Sequence, residues 1–143
     1  MFLYKLGSYF HKKKISPLTK ICNLLIRLIH NSAIYGETEI GEGTLFGYGG
    51  IAVVIHKKAK IGRDCIIGSN VTIGGRSKSK DVPIIGSGVY IATGAKVLGN
   101  ISVGDNSVIG ANAVVISDVP SNCVVAGIPA KVIKTNISAS DYY

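Results

Sequence analysis

The sequence predicts an all-β fold, a single-stranded left-handed parallel β-helix of hexapeptide repeats with a short N-terminal helical segment. Three observations carry this. Large apolar residues recur every six positions: Ile34, Ile40 and Phe46, then Ile55, Ile61, Ile67 and Ile73. After a polar interruption the series resumes at Ile85, Ile91, Val97, Val103, Ile109 and Val115. The following position is often glycine, as at Gly41, Gly62, Gly68, Gly86 and Gly104. Four places after the apolar residue stands something small or β-branched, such as Ala59, Cys65, Val71, Val89, Ala95, Ser107 and Ala113. A helix needs a period of about 3.6 and a half-exposed strand about two, so this period fits neither alone. It fits a triangular coil in which each hexad supplies one short strand and one corner. The apolar residue fills the interior, glycine permits the turn, and the small residue packs inside beside the next corner. Three hexads close a coil, so the repeats predict roughly four coils stacked through parallel sheets.

In chain order, the helical segment is expected over residues 1–33. Ser16 and Pro17 read as an N-cap followed by proline at the first helical position. Leu18, Ile21, Leu24, Leu25, Leu28 and Ile29 then mark one apolar face, preceded by the basic run His11-Lys12-Lys13-Lys14. The favoured reading is a helix packed on the first coil or on a neighbouring subunit. The alternative is an interfacial helix resting on anionic lipid, a peripheral membrane contact through the basic segment. The β-helix domain is expected over 34–134, and the polar tail 135–143 is expected to be flexible and to fray.

The register breaks twice. Phe46 and Ile55 are nine positions apart, which puts Gly47-Tyr48-Gly49-Gly50-Ile51-Ala52 at one irregular corner. Between Ile73 and Ile85 runs a polar, basic, glycine-started stretch that should leave the coil as a projecting loop. Breaks in a strict repeat are where function is most often placed.

Composition narrows the classes of partner. A chain of 143 residues is enough for one domain. Sixteen Lys and Arg against eight Asp and Glu give a net charge of +8, which points to an anionic ligand or surface. Nucleic acid is the weakest of these, because no recognition-helix pattern, zinc spacing or aromatic-basic stripe is present. Cys22, Cys65 and Cys123 are odd in number and widely spaced, so no metal is expected and the thiols read as reduced. Residues 1–10 lack the apolar core of a secretion signal. The longest apolar stretch, 18–29, is too short to span a membrane and is broken by Lys20, Asn23 and Arg27. The expected location is the cytoplasm, with the inner face of the membrane as a variant.

The strings IGEGTLFGYGGIAVVIHKKAKIG, NVTIGG, VPIIGSGVYIATGAKVLGNISVGDNSVIGANAVV and DVPSNCVVAGIPAKVIK carry a resemblance. The chain resembles the hexapeptide-repeat acyltransferases in their serine acetyltransferase-like branch, and in particular its short members that decorate polysaccharides. The resemblance implies a homotrimer that binds acetyl-CoA in a groove between neighbouring β-helices and transfers the acetyl group directly to a hydroxyl. It also implies cofactor residues. Thr93 lines the pantetheine arm, Ala111 lets the backbone approach the cofactor, and Lys131 and Lys134 meet the nucleotide phosphates. Gly75 and Arg76 are placed with the cofactor as well. The basic loop of Arg76, Lys78 and Lys80 is read as holding a CoA phosphate or an anionic acceptor such as a nucleotide sugar.

The chain departs from the pattern at its catalytic positions. The family's histidine in I-G-x-G-x-x-x-x-H is Tyr48 here, and the histidine before the loop proline is Val82. A hydroxyl residue of the last coil is replaced by Ile116. Acyl transfer needs a base able to work near neutral pH, and a phenol titrates near about 10. Tyr48 is therefore expected to orient the acceptor or donate a hydrogen bond, with His56 as base and Asp81 as a second candidate. His11 and His30 are read as surface or packing residues. The expected function is an acetyl-CoA-dependent O-acetyltransferase acting on a hydroxyl of a surface polysaccharide or its precursor. The alternatives are a serine O-acetyltransferase and an inactive CoA-binding scaffold.

Overall fold

The computed structural model describes residues 1–77 and 81–143. Two helices come first, α1 (Phe2–Lys12) and α2 (Ser16–His30). Ser16 is not the cap of α2. That position falls to Ile15, which has no capping oxygen, and Ser16 and Pro17 form the first turn. The helical segment expected over 1–33 is thus two helices, and the apolar residues of α1 are interspersed with Lys5, Gly7 and Ser8. The helices sit on one end of the coil stack. Tyr4 and Ile26 join Ile34 in the interior, and the Tyr4 hydroxyl donates to the Thr38 carbonyl at 2.8 Å. Backbones nearly touch here, because a Cβ on Gly36 would lie 2.6 Å from the carbonyl carbon of Gly7.

From residue 39 onward the chain winds through three sheets. The first joins β1 (Glu39–Ile40), β4 (Lys60–Ile61), β7 (Ile84–Ile85) and β10 (Ser102–Val103), all parallel. The second joins β2 (Leu45–Phe46), β5 (Ile66–Ile67), β8 (Tyr90–Ile91), β11 (Val108–Ile109) and β13 (Cys123–Gly127) in parallel, and β14 (Ala130–Thr135) closes it antiparallel. The third joins β3 (Val54–Ile55), β6 (Thr72–Gly74), β9 (Lys96–Leu98) and β12 (Val114–Val115). Each circuit visits the three sheets once, so the strands make a β-helix of about four turns.

The register explains the two breaks. Ile85 pairs with Val103, one regular coil of 18 residues later. Ile40 pairs with Ile61 over 21 residues, because the corner after Phe46 holds three extra. Ile61 pairs with Ile85 over 24, because the loop after Gly74 holds six extra. In all three cases residue pairs of the same inward and outward alternation meet, since the surplus is confined to a corner.

The apolar hexad residues from Ile55 to Val115 are buried, and so are the small residues beside them. Ser107 satisfies its hydroxyl on the Gly104 carbonyl at 2.8 Å. The hexad glycines serve a different purpose from the turn assigned to them by the sequence. A Cβ on Gly62 would stand 2.5 Å from the Gly86 carbonyl group, and one on Gly68 2.6 Å from the Thr93 nitrogen. Close stacking of coil on coil is what demands glycine there. The left-handed turns are made two places further on, by Asp64, Asn70, Asn106 and Asn112.

The tail expected to fray is docked instead. Beyond β14 the chain forms a short 3₁₀ turn, Ala139–Tyr142, that packs Ala139 on Val108 and Val124 at the outer face of the second sheet. Ile137 N–H donates to the Asn122 carbonyl at 3.1 Å, and the Tyr143 ring meets Tyr90 edge-on with centroids 5.7 Å apart. Apolar outward residues on these strands give the tail a surface to bind, which a reading based on its polarity overlooks.

Candidate active site

Two edges of the prism bound the third sheet, and the two breaks fall on different ones. The edge between the second and third sheets carries the corner Gly47–Gly50, followed in the stack by Ser69, Thr93 and Ala111. The edge between the third and first sheets carries His56, then the loop from Gly75, then Gly99. Tyr48 and His56 thus stand at opposite ends of β3.

The Tyr48 corner is strained and tightly held. Tyr48 has φ 50° and ψ 34°, a left-handed conformation that costs a bulky side chain about 1–3 kcal/mol. Its side chain is 81% exposed, so packing does not repay that cost. The end of α2 fixes the corner from outside. Ala52 N–H donates to the His30 carbonyl at 3.2 Å. The Ser32 hydroxyl lies between the carbonyls of His30 and Gly50 and accepts the Val53 N–H at 3.1 Å. His30 itself comes with the helix end. A Cβ on Gly49 would be 3.7 Å from His30 Nδ1, so the imidazole rests against the corner one residue from Tyr48. Sequence reading put His30 among the packing residues. Spacing gives no signal for this, because the coil after His30 is irregular and Ala33 bridges Val54 over 21 residues.

His56 is differently placed. Its Nδ1 accepts the Lys58 N–H at 3.2 Å, and its backbone N–H donates to the Ile73 carbonyl at 2.8 Å. An Nδ1 that accepts leaves the proton of the neutral ring on Nε2, so the lone pair a base would use is already engaged.

The residues expected at the cofactor divide between the edges. Thr93 and Ala111 are exposed rungs of the first edge. Thr93 Oγ1 lies 3.5 Å from Ser69 Oγ, and the Thr93 carbonyl accepts the Asn112 N–H at 3.0 Å. Lys131 pairs across the hairpin with Ala126, which packs over Gly110 at the same edge. Lys134 lies further along, with Nζ 3.4 Å from the Tyr142 hydroxyl and 5.8 Å from its ring centroid. Gly75, Arg76 and Asp81 belong to the second edge, where Arg76 packs over Gly99. Lys78 and Lys80 lie outside the described residues. Val82, at the second family histidine position, packs against the core. Ile116 is exposed.

A cleft of about 520 Å³ opens between α1 and the first coil, lined by Lys5, Lys12, Tyr9, Thr44 and Phe46. It borders the Tyr48 corner, since Met1 Sδ and the Phe46 ring both lie beside Gly50. The three cysteines are free and buried, and burial raises the Cys65 and Cys123 thiols above their ordinary range, which suits packing and not nucleophilic work. Among the described residues no three His, Cys, Asp or Glu side chains gather as a metal site would require.

A β-helix with a regular core and two interrupted corners is the architecture of a hexapeptide transferase, and the comparisons agree. Residues 83–117 match the family model for bacterial transferase hexapeptide repeats. A serine acetyltransferase of Helicobacter pylori is 40% identical over 135 residues, covering 93% of this chain and 78% of the relative. One from Synechococcus elongatus is 36% identical over 132 residues, covering 91% of this chain and 54% of the relative. Among solved structures, serine acetyltransferase from Brucella abortus in complex with coenzyme A superposes with a TM-score of 0.89 at 31% identity, over 95% of this chain and 55% of that one. The chain therefore belongs to the hexapeptide-repeat transferase family, beside its serine acetyltransferases. It spans about half the length of several of these relatives, among them the cyanobacterial and Brucella proteins. Among the described residues no helix is long and apolar enough to cross a membrane.

Proposed function

We propose that the protein is an acetyl-CoA-dependent O-acetyltransferase whose acceptor is L-serine, with 34–134 as the transferase domain. The likeness to a serine acetyltransferase solved with coenzyme A carries this reading. The names of the relatives move serine ahead of the polysaccharide hydroxyl expected from the resemblance to short family members.

On this reading the extended cofactor lies along the edge of Thr93 and Ala111, with Lys131 toward its phosphates. A neighbouring copy in a homotrimer forms the other wall of the groove, and the second edge, with Gly75, Arg76 and Asp81, together with Lys134 on β14, supplies the remaining contacts. A base takes the proton of the acceptor hydroxyl, the oxygen attacks the thioester carbonyl, and the CoA sulfur leaves and collects the proton. His30 takes the role of base in place of His56, because it rests at the Tyr48 corner while His56 already spends its lone pair on Lys58. Asp81 is the reserve candidate. The Tyr48 hydroxyl holds the acceptor or donates to the developing oxyanion. The reaction runs in the cytoplasm, where acetyl-CoA is made.

Release of free thiol from acetyl-CoA tests this when serine, nucleotide sugars and lipid-linked sugars are offered in turn. Turnover with serine is expected. Turnover with a sugar alone would move the acceptor to the saccharide class. Measurable CoA affinity with no turnover on any acceptor would make the chain a scaffold.

A further inference from the structure

The helical hairpin differs from the rest of the chain in charge and in what it exposes. Residues 1–36 hold six Lys and Arg (Lys5, Lys12, Lys13, Lys14, Lys20 and Arg27) and no Asp or Glu. The other ten basic residues of the sixteen are nearly balanced by all eight acidic ones. Six of the eight net charges therefore sit on the two helices and the turn that joins them.

α2 is amphipathic in an unusual sense. The narrow face of Thr19, Cys22 and Ile26 is buried against the protein. A broader arc of Ile21, Leu24, Leu25, Leu28 and Ile29 faces outward, with Leu28 71% and Ile29 65% exposed. At helical spacing Lys20, Leu24 and Arg27 share one stripe, so the two cations rim the apolar arc. α1 adds exposed Phe2, Tyr9 and, at its end, Lys12, and the turn between the helices adds Lys13 and Lys14. A water-facing apolar arc with a cationic rim is what an interfacial helix presents to lipid.

A second copy fits this face poorly, because pairing it with itself would oppose six cations to six, and Glu37, which accepts from Asn23 and shares a cleft with His11 and Lys14, offsets only one of them on each side. Anionic headgroups complement it directly. Neither helix can span a bilayer, so the contact lies in the plane of the interface. We propose that the outer face of the α1–α2 hairpin docks the protein on an anionic lipid surface, with the apolar arc of α2 sunk among the headgroups and the lysine turn against their phosphates. This stands apart from the acetyltransferase reading and is tested separately from it.

The full chain is mixed with vesicles of phosphatidylcholine, with and without phosphatidylglycerol, and sedimented over a range of salt. Binding to the anionic vesicles alone, weakening as salt rises, is the expected result. Neutralising the turn (Lys12→Gln, Lys13→Gln, Lys14→Gln) should cost on the order of a hundredfold in affinity. The pair Leu24→Gln and Leu28→Gln should abolish binding at low salt with the circular dichroism and molecular mass unchanged. Equal binding to neutral vesicles, or none to anionic ones, overturns the proposal. So does a fall in molecular mass in the leucine pair, which would give this face to a second copy. Retention on polyglutamate without binding to vesicles would give it to an acidic protein.

Discussion

The two edges of the third sheet have the same repeat behind them and opposite character. On the first, backbones stack so closely that Gly68 has no room for a methyl group, and the rungs are small: half-buried Ser69 and exposed Thr93 and Ala111. On the second, the coil opens into a loop, and a Cβ on Gly75 would meet only Val82 at 3.9 Å. The first edge is a rigid rail suited to an extended ligand, and the second is a place for insertion. A β-helix separates these tasks because each coil touches only the coils above and below it.

The contrast can be broken most sharply at its imidazoles. Replacing His30 on the first edge with glutamine is expected to lower turnover by about 10²–10⁴-fold, while His56→Gln on the second leaves it nearly unchanged, followed as thiol release from acetyl-CoA. The reverse result would move the base across the sheet. Tyr48→Phe keeps the ring and removes the hydroxyl, so kcat should fall by about ten- to a hundredfold with the CoA affinity intact.

Stability sharpens the comparison next. Gly68→Ala forces its methyl group into the next coil and should cost about 1–3 kcal/mol in urea unfolding, whereas Gly75→Ala should be close to neutral. Lys131→Ala is expected to raise the KM for acetyl-CoA by about two- to fivefold, and Lys134→Ala, whose ammonium rests on Tyr142, by less.

The smallest effect concerns the buried thiol at the remaining corner, between the first and second sheets. Burial holds the Cys65 pKa above its ordinary 9.0, so the folded state keeps a proton that the unfolded chain gives up. Stability from this group is present below pH 9 and is lost as pH rises through the folded value. Cys65→Ala should flatten that alkaline decline in a pH series of melting temperatures.

Much of this was legible in the hexads. Ile55 to Val115 announced the interior, and the nine-residue step after Phe46 announced the strained corner. Three things were not legible, each for a physical reason. His30 rests against Gly49 because α2 ends one coil earlier, and no local motif records a contact made by stacking. The tail docks because Tyr90, Val108 and Val124 point outward beneath it, a property of the strands and not of the polar residues 135–143. His56 looked free to act as a base because its capture by Lys58 N–H depends on ring orientation, which spacing does not encode.

The way the stack ends has a consequence of its own. Open parallel coils offer unpaired strand edges at top and bottom, and such edges invite growth by addition of further chains. At the top, α1 and α2 cover Ile34 and hold Thr38 through Tyr4. At the bottom, β14 turns back antiparallel on β13, so the ladder ends in a strand of opposite direction. The helices at the top and β14 on the second sheet at the bottom thus stand outside the repeat and cover part of what could polymerise. Cutting away either cap should turn a discrete protein into one prone to stack end on end.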